Sequence, residues 1–249
     1  MGMSLERIVF IPDTHVPFHN KKAFNLVKKV IKTLGVNTMV TLGDFADFYS
    51  VSSHSKDPKR KLNLLQEINA VNKALDELDA LGCKKKYYIE GNHEWRYARY
   101  IRDKAPELSE MNSIPKMFRL KERGWKFTPY MEHTTIGKLH LTHDTGKAGK
   151  TAHSAARADF GEKNVVIGHT HRMAYDVTGC VTGKTHVAAM FGWLGDTRQI
   201  DYMHRSKAWR DWPLGFGMGY KERDGTVHLV PIPIINNRKC CVEGRIISI

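Results

Sequence analysis

The chain has 249 residues, of which 41 % are hydrophobic and 26 % charged; this excludes a disordered or fibrous chain and is enough to bury a core without staples. Its formal net charge is +13, from 39 Lys and Arg against 26 Asp and Glu, a surplus that favours polyanionic partners or phosphorylated substrates. The four cysteines, Cys83, Cys180, Cys240 and Cys241, form no C-x-x-C pair, which argues against a disulfide framework, and no apolar run approaches the roughly 20 residues of a membrane span.

In chain order, "RIVFIP" (7–12) is predicted as a buried strand. Over 21–34, Phe24, Val27, Val30, Ile31 and Leu34 follow helical spacing. "TMVTL" (38–42) is a second strand. From 60 to 82, Leu64, Leu65, Ile68, Val71, Leu75, Leu78 and Leu81 form an amphipathic helix that ends at Gly82. "KYYIE" (86–90) is a third strand, and "WRYARYIRDKA" (95–105) a helix that Pro106 stops. This alternation predicts an α/β layer structure with a partly parallel sheet. In the second half, "KLHLT" (138–142), "NVVIG" (164–168), "THVAAM" (185–190) and "TVHLVPIPI" (226–234) read as strands, while 191–222 is expected to hold long loops. Asp224-Gly225 is a hairpin turn signal before the last of these strands. A second sheet packed on the first is expected. No linker divides the chain, so 1–249 is read as a single domain, with a motif core at about 7–190 and substrate loops and closing strands in 191–249.

Polar clusters recur where these strands end: Asp13 and His15, then Asp44 and Asp47, then Asn92 and His93, then His143, then His169 and His171. In open α/β sheets, ligands bind beyond the carboxyl ends of the strands. These N and O donors suit divalent cations, and there are enough for two. In D-x-H and H-x-H the paired residues, if extended, face the same way about 6.5–7 Å apart, so that they can flank two ions about 3.5–4 Å apart. A carboxylate between the ions can bridge them. The glycines before Asp44, Asn92 and His169 are expected to let the backbone turn tightly. Taken singly, each piece has a blander reading: Asp13 as a helix cap, His15 as a surface residue, "GD" as a turn, His143 as a structural histidine. The arrival of every piece at a strand end is what argues against coincidence.

The blocks "DTH" (13–15), "GDFAD" (43–47), "GNHE" (91–94), "LTHD" around His143 and "GHTH" (168–171), in this order, resemble the calcineurin-like metallophosphoesterase family. The resemblance implies a four-layer α/β/β/α sandwich with two mixed sheets and a dinuclear metal site at the strand ends. By motif, Asp13, His15, Asp44 and His171 would hold one ion. Asp44, Asn92, His143 and His169 would hold the other, with Asp44 bridging. His93 would stand beside the metals and meet the phosphate and leaving-group oxygen as a charged imidazole, oriented by Asp47. The implied chemistry is hydrolysis of a phosphoester by two-metal-activated hydroxide. The ions are expected to be manganese, with iron, zinc or nickel as alternatives. Phe48 stands where the phosphoprotein-phosphatase branch commonly has a phosphate-gripping Arg, which argues against a phosphoprotein substrate. Arg96 is a candidate for that grip, against the plainer reading of a solvated helix face.

"GKAGKT" (146–151) is not a P-loop, because Asp144 occupies the place of the required first Gly; Lys147 and Lys150 remain candidates for substrate contact. His19 is expected to be exposed. In 191–223, Trp193, Trp209 and Trp212 lie among Arg198, Arg205, Lys207 and Arg210, a mix that suits the bases and phosphates of single-stranded nucleic acid, or else a loop core with solvated cations. The favoured reading is a phosphodiesterase or nuclease acting on DNA, RNA or nucleotides. A nucleic-acid end phosphatase or small-molecule phosphatase is the alternative, and a non-catalytic metal-binding scaffold a third. With no apolar signal core in "MGMSLERIVFIPDTH", a cytoplasmic location without membrane contact is expected.

Overall fold

Strand β1 (Glu6–Ile11) serves two cores at once. Val9 and Ile11 point toward helices, while Ile8 and Phe10 point toward a second sheet. A strand buried on both faces needs no polar alternation. The computed structural model describes residues 5–57, 59–109, 112–200 and 208–249.

Helix α1 (Lys21–Leu34) is capped by Asn20, whose side chain accepts from Ala23 N at 3.0 Å, and it ends on Gly35 at φ 60°. All five residues of its predicted stripe are buried. The next strand, β2 (Thr38–Thr41), pairs parallel to β1, and β3 (Lys85–Ile89) parallel to β2. Helix α2 (Leu64–Asp79) starts later than predicted, because Asn63 and Gln66 close a capping box there. Leu65, counted in its apolar stripe, is exposed. Helix α3 (Asn92–Lys104) starts three residues before its predicted beginning and so takes Asn92 and His93 into its first turn. The short helix α4 (Ile114–Met117) leads to β4 (Trp125–Thr128), which pairs parallel to β3.

The second sheet has the order β5 (Thr134–Ile136), β6 (Leu139–Thr142), β7 (Asn164–Ile167), β9 (Thr185–Phe191), β8 (Met173–Gly179), with parallel pairs β6–β7 and β7–β9. Helix α5 (Ala152–Asp159) covers its outer face through Ala152 and Ala156. Helices α1 and α2 cover the first sheet, and Ile8, Phe10, Val40 and Ile89 meet Leu139, Leu141, Val166 and Phe191 between the sheets. The expected four-layer α/β/β/α sandwich with two mixed sheets is observed.

One expectation fails in 191–222. The segment read as loops contains strand β10 (Gly215–Lys221), antiparallel to β1, and β11 (Val227–Pro233) completes the first sheet beside it. Its sequence, GFGMGYK, hides the strand because glycine is a poor strand former. Packing explains the glycines: a Cβ on Gly217 would lie 2.4 Å from the Phe191 ring, and one on Gly219 2.9 Å from that of Phe10. The glycine face thus accommodates two large rings between the sheets, while Phe216 and Met218 face the helices. Nor is β11 the last strand: β12 (Lys239–Val242) and β13 (Arg245–Ser248) form a hairpin that adds Cys240, Val242 and Ile247 to the helix-side core. All four cysteines are free thiols. Among the described residues, no helix is long and apolar enough to cross a membrane.

Candidate metal centre

The loops after β1, β2, β3, β6 and β7 meet in one cluster, buried except for the half-buried Asn92 and His169. Asp13, His15, Asp44 and His171 each offer a ligand atom within 4.8 Å of the others, and Asp44, His143 and His169 form a second such group. Asp44 belongs to both. Asn92 Oδ1 joins the second group, 3.0 Å from His143 Nε2 and 2.8 Å from His169 Nδ1. The seven residues predicted as ligands therefore stand together.

They converge by a different route from the one expected. His15, Asp44, His169 and His171 all have left-handed backbone, at φ 57°, 49°, 68° and 58°. The D-x-H and H-x-H pairs are consequently not extended, and their side chains turn inward. Each such non-glycine residue stores about 1–3 kcal/mol of strain, which surrounding contacts must hold. Those contacts are present. Thr14 N and His15 N both donate to Asp44 O at 2.9 Å. The flanking glycines also act differently from expectation. Gly43 has φ 89°, but Gly91 and Gly168 lie outside the left-handed region. Their role is close approach: a Cβ on Gly91 would lie 2.2 Å from Asp44 N, and one on Gly168 2.7 Å from Leu42 O.

The cluster concentrates negative charge. Asp13, Asp44 and Asp47 are buried. Burial works against their ionisation, but the surrounding imidazoles outweigh it and hold all three below the ordinary carboxylate range. Conversely, burial disfavours a charged His143, yet Asp44 and Asp13 push its pKa up to about 10. Three carboxylates gathered at one buried point suit cations. The ligand nitrogens are also prepared. His143 Nδ1 donates to Leu42 O at 2.8 Å, and His15 Nδ1 to Asp47 Oδ2 at 3.1 Å, so in the neutral rings each Nε2 carries the lone pair. His15 Nε2 faces His171 Nε2 at 3.1 Å. Asp13 Oδ2 is buried with no hydrogen-bond partner. Mixed N and O donors, with the second nitrogens of His15 and His143 fixed by outer acceptors, fit two divalent ions.

Asp47 faces two histidines and not His93 alone. Its carboxylate is 3.1 Å from His15 Nδ1 and 3.3 Å from His93 Nδ1, so it serves a ligand histidine as much as His93. His93 Nδ1 donates to the Asp47 backbone carbonyl, at 3.0 Å. Arg96 is neither solvated nor remote: it is buried, with Nη2 2.8 Å from His93 Nε2 and Nη1 3.1 Å from Asp47 O. A guanidinium only donates, so His93 Nε2 accepts and its proton sits on Nδ1. Burial and Arg96 lower the His93 pKa to about 4, in contrast to the charged imidazole expected.

Glu94 does more than cap a helix. Fully buried, its carboxylate accepts from Gly91 N and Asp44 N at 3.0 Å, from Ala46 N at 2.8 Å and from Tyr88 Oη at 2.9 Å. It clamps the loop that carries Asp44 onto α3. Glu67 does the same for the next stretch, accepting from Tyr49 N at 2.8 Å and Ser50 N at 2.7 Å. The "GNHE" spacing signalled Glu94, since an acid at the third helical position reaches back to the cap; nothing signalled Glu67.

Around the cluster, Trp193 is buried and stacks on His171 with centroids 5.0 Å apart, and Trp212 meets the same ring edge-on at 4.4 Å. Trp193 is thus core, as one of the two readings had it. Arg198 is tied to Asp196 at 2.9 Å. Arg205, Lys207 and the Trp209 side chain lie outside the described residues. Phe48 is buried against Tyr97 and Phe118, both at 6.0 Å. Lys147 and Lys150 are exposed and do not join the cluster; Lys150 pairs with Asp211 at 3.3 Å. His19 is half-buried against the Phe24 ring at 5.2 Å, not exposed. On the other flank, Tyr130 lies 6.4 Å from His143 and 5.8 Å from Trp95, over which Arg99 and Arg102 sit at 5.7 and 5.2 Å.

The sequence profile described as calcineurin-like phosphoesterase matches residues 6–214. The Gene 54 protein of Mycobacterium phage L5 is 27 % identical over 276 residues, covering 97 % of this chain and 98 % of its own. The Gene 54 protein of Mycobacterium phage D29 is 27 % identical over 268 residues with the same coverage. Among solved structures, Vacuolar Protein Sorting 29 from Cryptosporidium parvum shares 15 % identity at a TM-score of 0.49, over 98 % of this chain and 95 % of that one.

Proposed function

Because the chain belongs to the calcineurin-like phosphoesterase family, we propose that it is a divalent-metal-dependent phosphodiesterase acting on nucleic acid or nucleotides. The observation that carries this reading is the sharing of Asp44 between two candidate ligand groups, buried except for the half-buried His169. Asp13, His15, Asp44 and His171 would hold one ion, and Asp44, Asn92, His143 and His169 the other, with manganese the first candidate. When bound, such a pair neutralises phosphate charge and lowers the pKa of water into the neutral range.

The remaining steps belong to the chain. Asp47 and Leu42 O fix the rings of His15 and His143 so that each presents Nε2 inward. His93, its Nδ1 proton engaged by Asp47 O, presents Nε2 to the side where Arg96 donates. A phosphoryl oxygen arriving there accepts from Arg96 in place of His93, which frees Nε2 to take a proton from solvent and hand it to the leaving-group oxygen. The diester reading draws support from the strip of Arg102, Arg99, Trp95 and Tyr130 that leads to His143; aromatic rings beside cations suit a single strand. One observation favours a monoester instead: the buried Arg96 adds a cation beside His93, which suits a dianionic terminal phosphate. Turnover of bis-p-nitrophenyl phosphate and p-nitrophenyl phosphate with manganese decides between them. Faster diester turnover is expected. Faster monoester turnover would transfer the assignment to a phosphatase, and turnover of neither, with both ions bound, would refute a phosphoesterase.

A further inference from the structure

A cavity of about 840 Å³ lies beside the metal centre, between the start of α1 and the segments 193–199 and 210–214. This is within the range of ligand sites, about 300–1,000 Å³. Trp193 is the wall it shares with the ligand cluster: the same ring lines the cavity and stacks on His171. Leu194, between the lining residues Trp193 and Gly195, donates its N–H to Asp13 O at 2.9 Å, which ties this segment to the loop that carries Asp13. A molecule in the cavity is therefore about one indole ring away from His171.

The lining carries a positive surplus. Lys21, Lys22, Arg198 and Arg210 face Asp196, which is taken by Arg198 at 2.9 Å. Lys21 and Lys22 also form the first turn of α1, which holds no acidic residue. Cations at a helix N-terminus oppose the macrodipole and cost stability. An anion held there would relieve both the dipole and the lysine pair. Trp212, half-buried in the lining, supplies an aromatic side wall next to these charges.

We propose that this cavity is the subsite for the nucleotide flanking the scissile phosphodiester, its phosphate on Lys21, Lys22 and Arg210 and its base against Trp212. The proposal rests on the phosphodiesterase reading above and names its substrate as a polynucleotide strand that occupies the cavity and the metal centre together.

The test is the double charge reversal Lys21→Glu, Lys22→Glu in the full chain. Acidic residues in the first turn of α1 complement its dipole, so the variant keeps its melting temperature. Binding of a fluorescein-labelled ten-residue oligothymidylate is followed by anisotropy with EDTA present, so that no turnover is involved. We expect the dissociation constant to rise by about tenfold or more, and the slope of log K against log salt to fall by about 0.7, the value for one phosphate contact on a single strand. With manganese added, the ratio of kcat/KM for the oligonucleotide to that for bis-p-nitrophenyl phosphate should fall in parallel. An unchanged affinity and salt slope, or a wild-type protein that does not bind the oligonucleotide, overturns the subsite. If wild type hydrolyses bis-p-nitrophenyl phosphate while the oligonucleotide results go against us, the subsite alone fails. If wild type hydrolyses no diester at all, the phosphodiesterase reading fails with it.

Discussion

Glu94→Gln isolates the clamp beneath the metal centre. In the wild-type protein one carboxylate oxygen accepts from Asp44 N and Gly91 N, and the other from Ala46 N and Tyr88 Oη. The better amide orientation leaves the Gln oxygen on Asp44 N and Gly91 N. Its NH2 then faces two donors. The Tyr88 hydroxyl can rotate and accept, but the Ala46 N–H cannot, and one buried unsatisfied donor costs about 1–3 kcal/mol. A loss of about 2 kcal/mol lowers the melting temperature of a chain this long by about 4–8 °C. Glu94→Ala orphans all four donors and should lose several times as much. The second readout is metal affinity. Asp44 is held at φ 49°, and with its amide less firmly anchored both ligand groups loosen together, because it belongs to both. Thermal unfolding and manganese titration calorimetry measure the two effects. A Glu94→Gln protein that melts within about 1 °C of wild type and binds manganese with unchanged affinity would show that the clamp does not hold Asp44.

Three further predictions concern separate parts of the molecule. His93→Ala should lower turnover by about 10²–10⁴ while elemental analysis still finds both ions; loss of an ion would place His93 among the ligands. Gly217→Ala drives a methyl group to 2.4 Å from the Phe191 ring and should cost about 1–3 kcal/mol by overpacking, read from urea unfolding; an unaffected midpoint would mean that the inter-sheet core has slack at that point. Glu6, far from the site, has its pKa lowered to about 2: burial opposes this, but hydrogen bonds from Thr38, Lys221 and Lys85 outweigh it. A depressed folded-state pKa gives stability that is present above about pH 4.5 and lost as pH falls toward 2. The stability difference between wild type and Glu6→Gln should therefore be full at pH 6 and shrink between pH 4.5 and 2; a constant difference across that range would rule out the ionised carboxylate as its source.

The architecture was legible where one residue pattern served one environment. The strands β1, β2, β3, β6 and β7 are short apolar runs that end in polar ligands, and all were found within a residue or two. The clustering of the candidate ligands could be read because five strand ends supply them in order. What escaped depends on partners distant in sequence. Glycines alternate in β10 because Phe10 and Phe191 need the room, and no local rule reports that. On the edge strand β8, Tyr175 and Val177 are exposed, so its pattern does not resemble a core strand.

The site shows the same division at finer scale. Residue type and order identified Asp13, His15, Asp44, Asn92, His143, His169 and His171 as neighbours, but not how they meet. Spacing along an extended strand was the natural assumption for D-x-H and H-x-H, and four left-handed residues replace it. That backbone is costly on its own; at Asp44 it is held by Glu94, buried on another element, which accepts from Asp44 N and Ala46 N, and at His15 and His169 by their amides donating to Asp44 O and Asp13 Oδ1. Arg96 belongs to the same class. On a helix face it looks like any solvated arginine, and only the fold reveals that His93 lies 2.8 Å from its guanidinium. The candidate ligands are thus written in the motifs, whereas the strain that aims them and the charge that tunes His93 reside in residues whose importance depends on tertiary contacts.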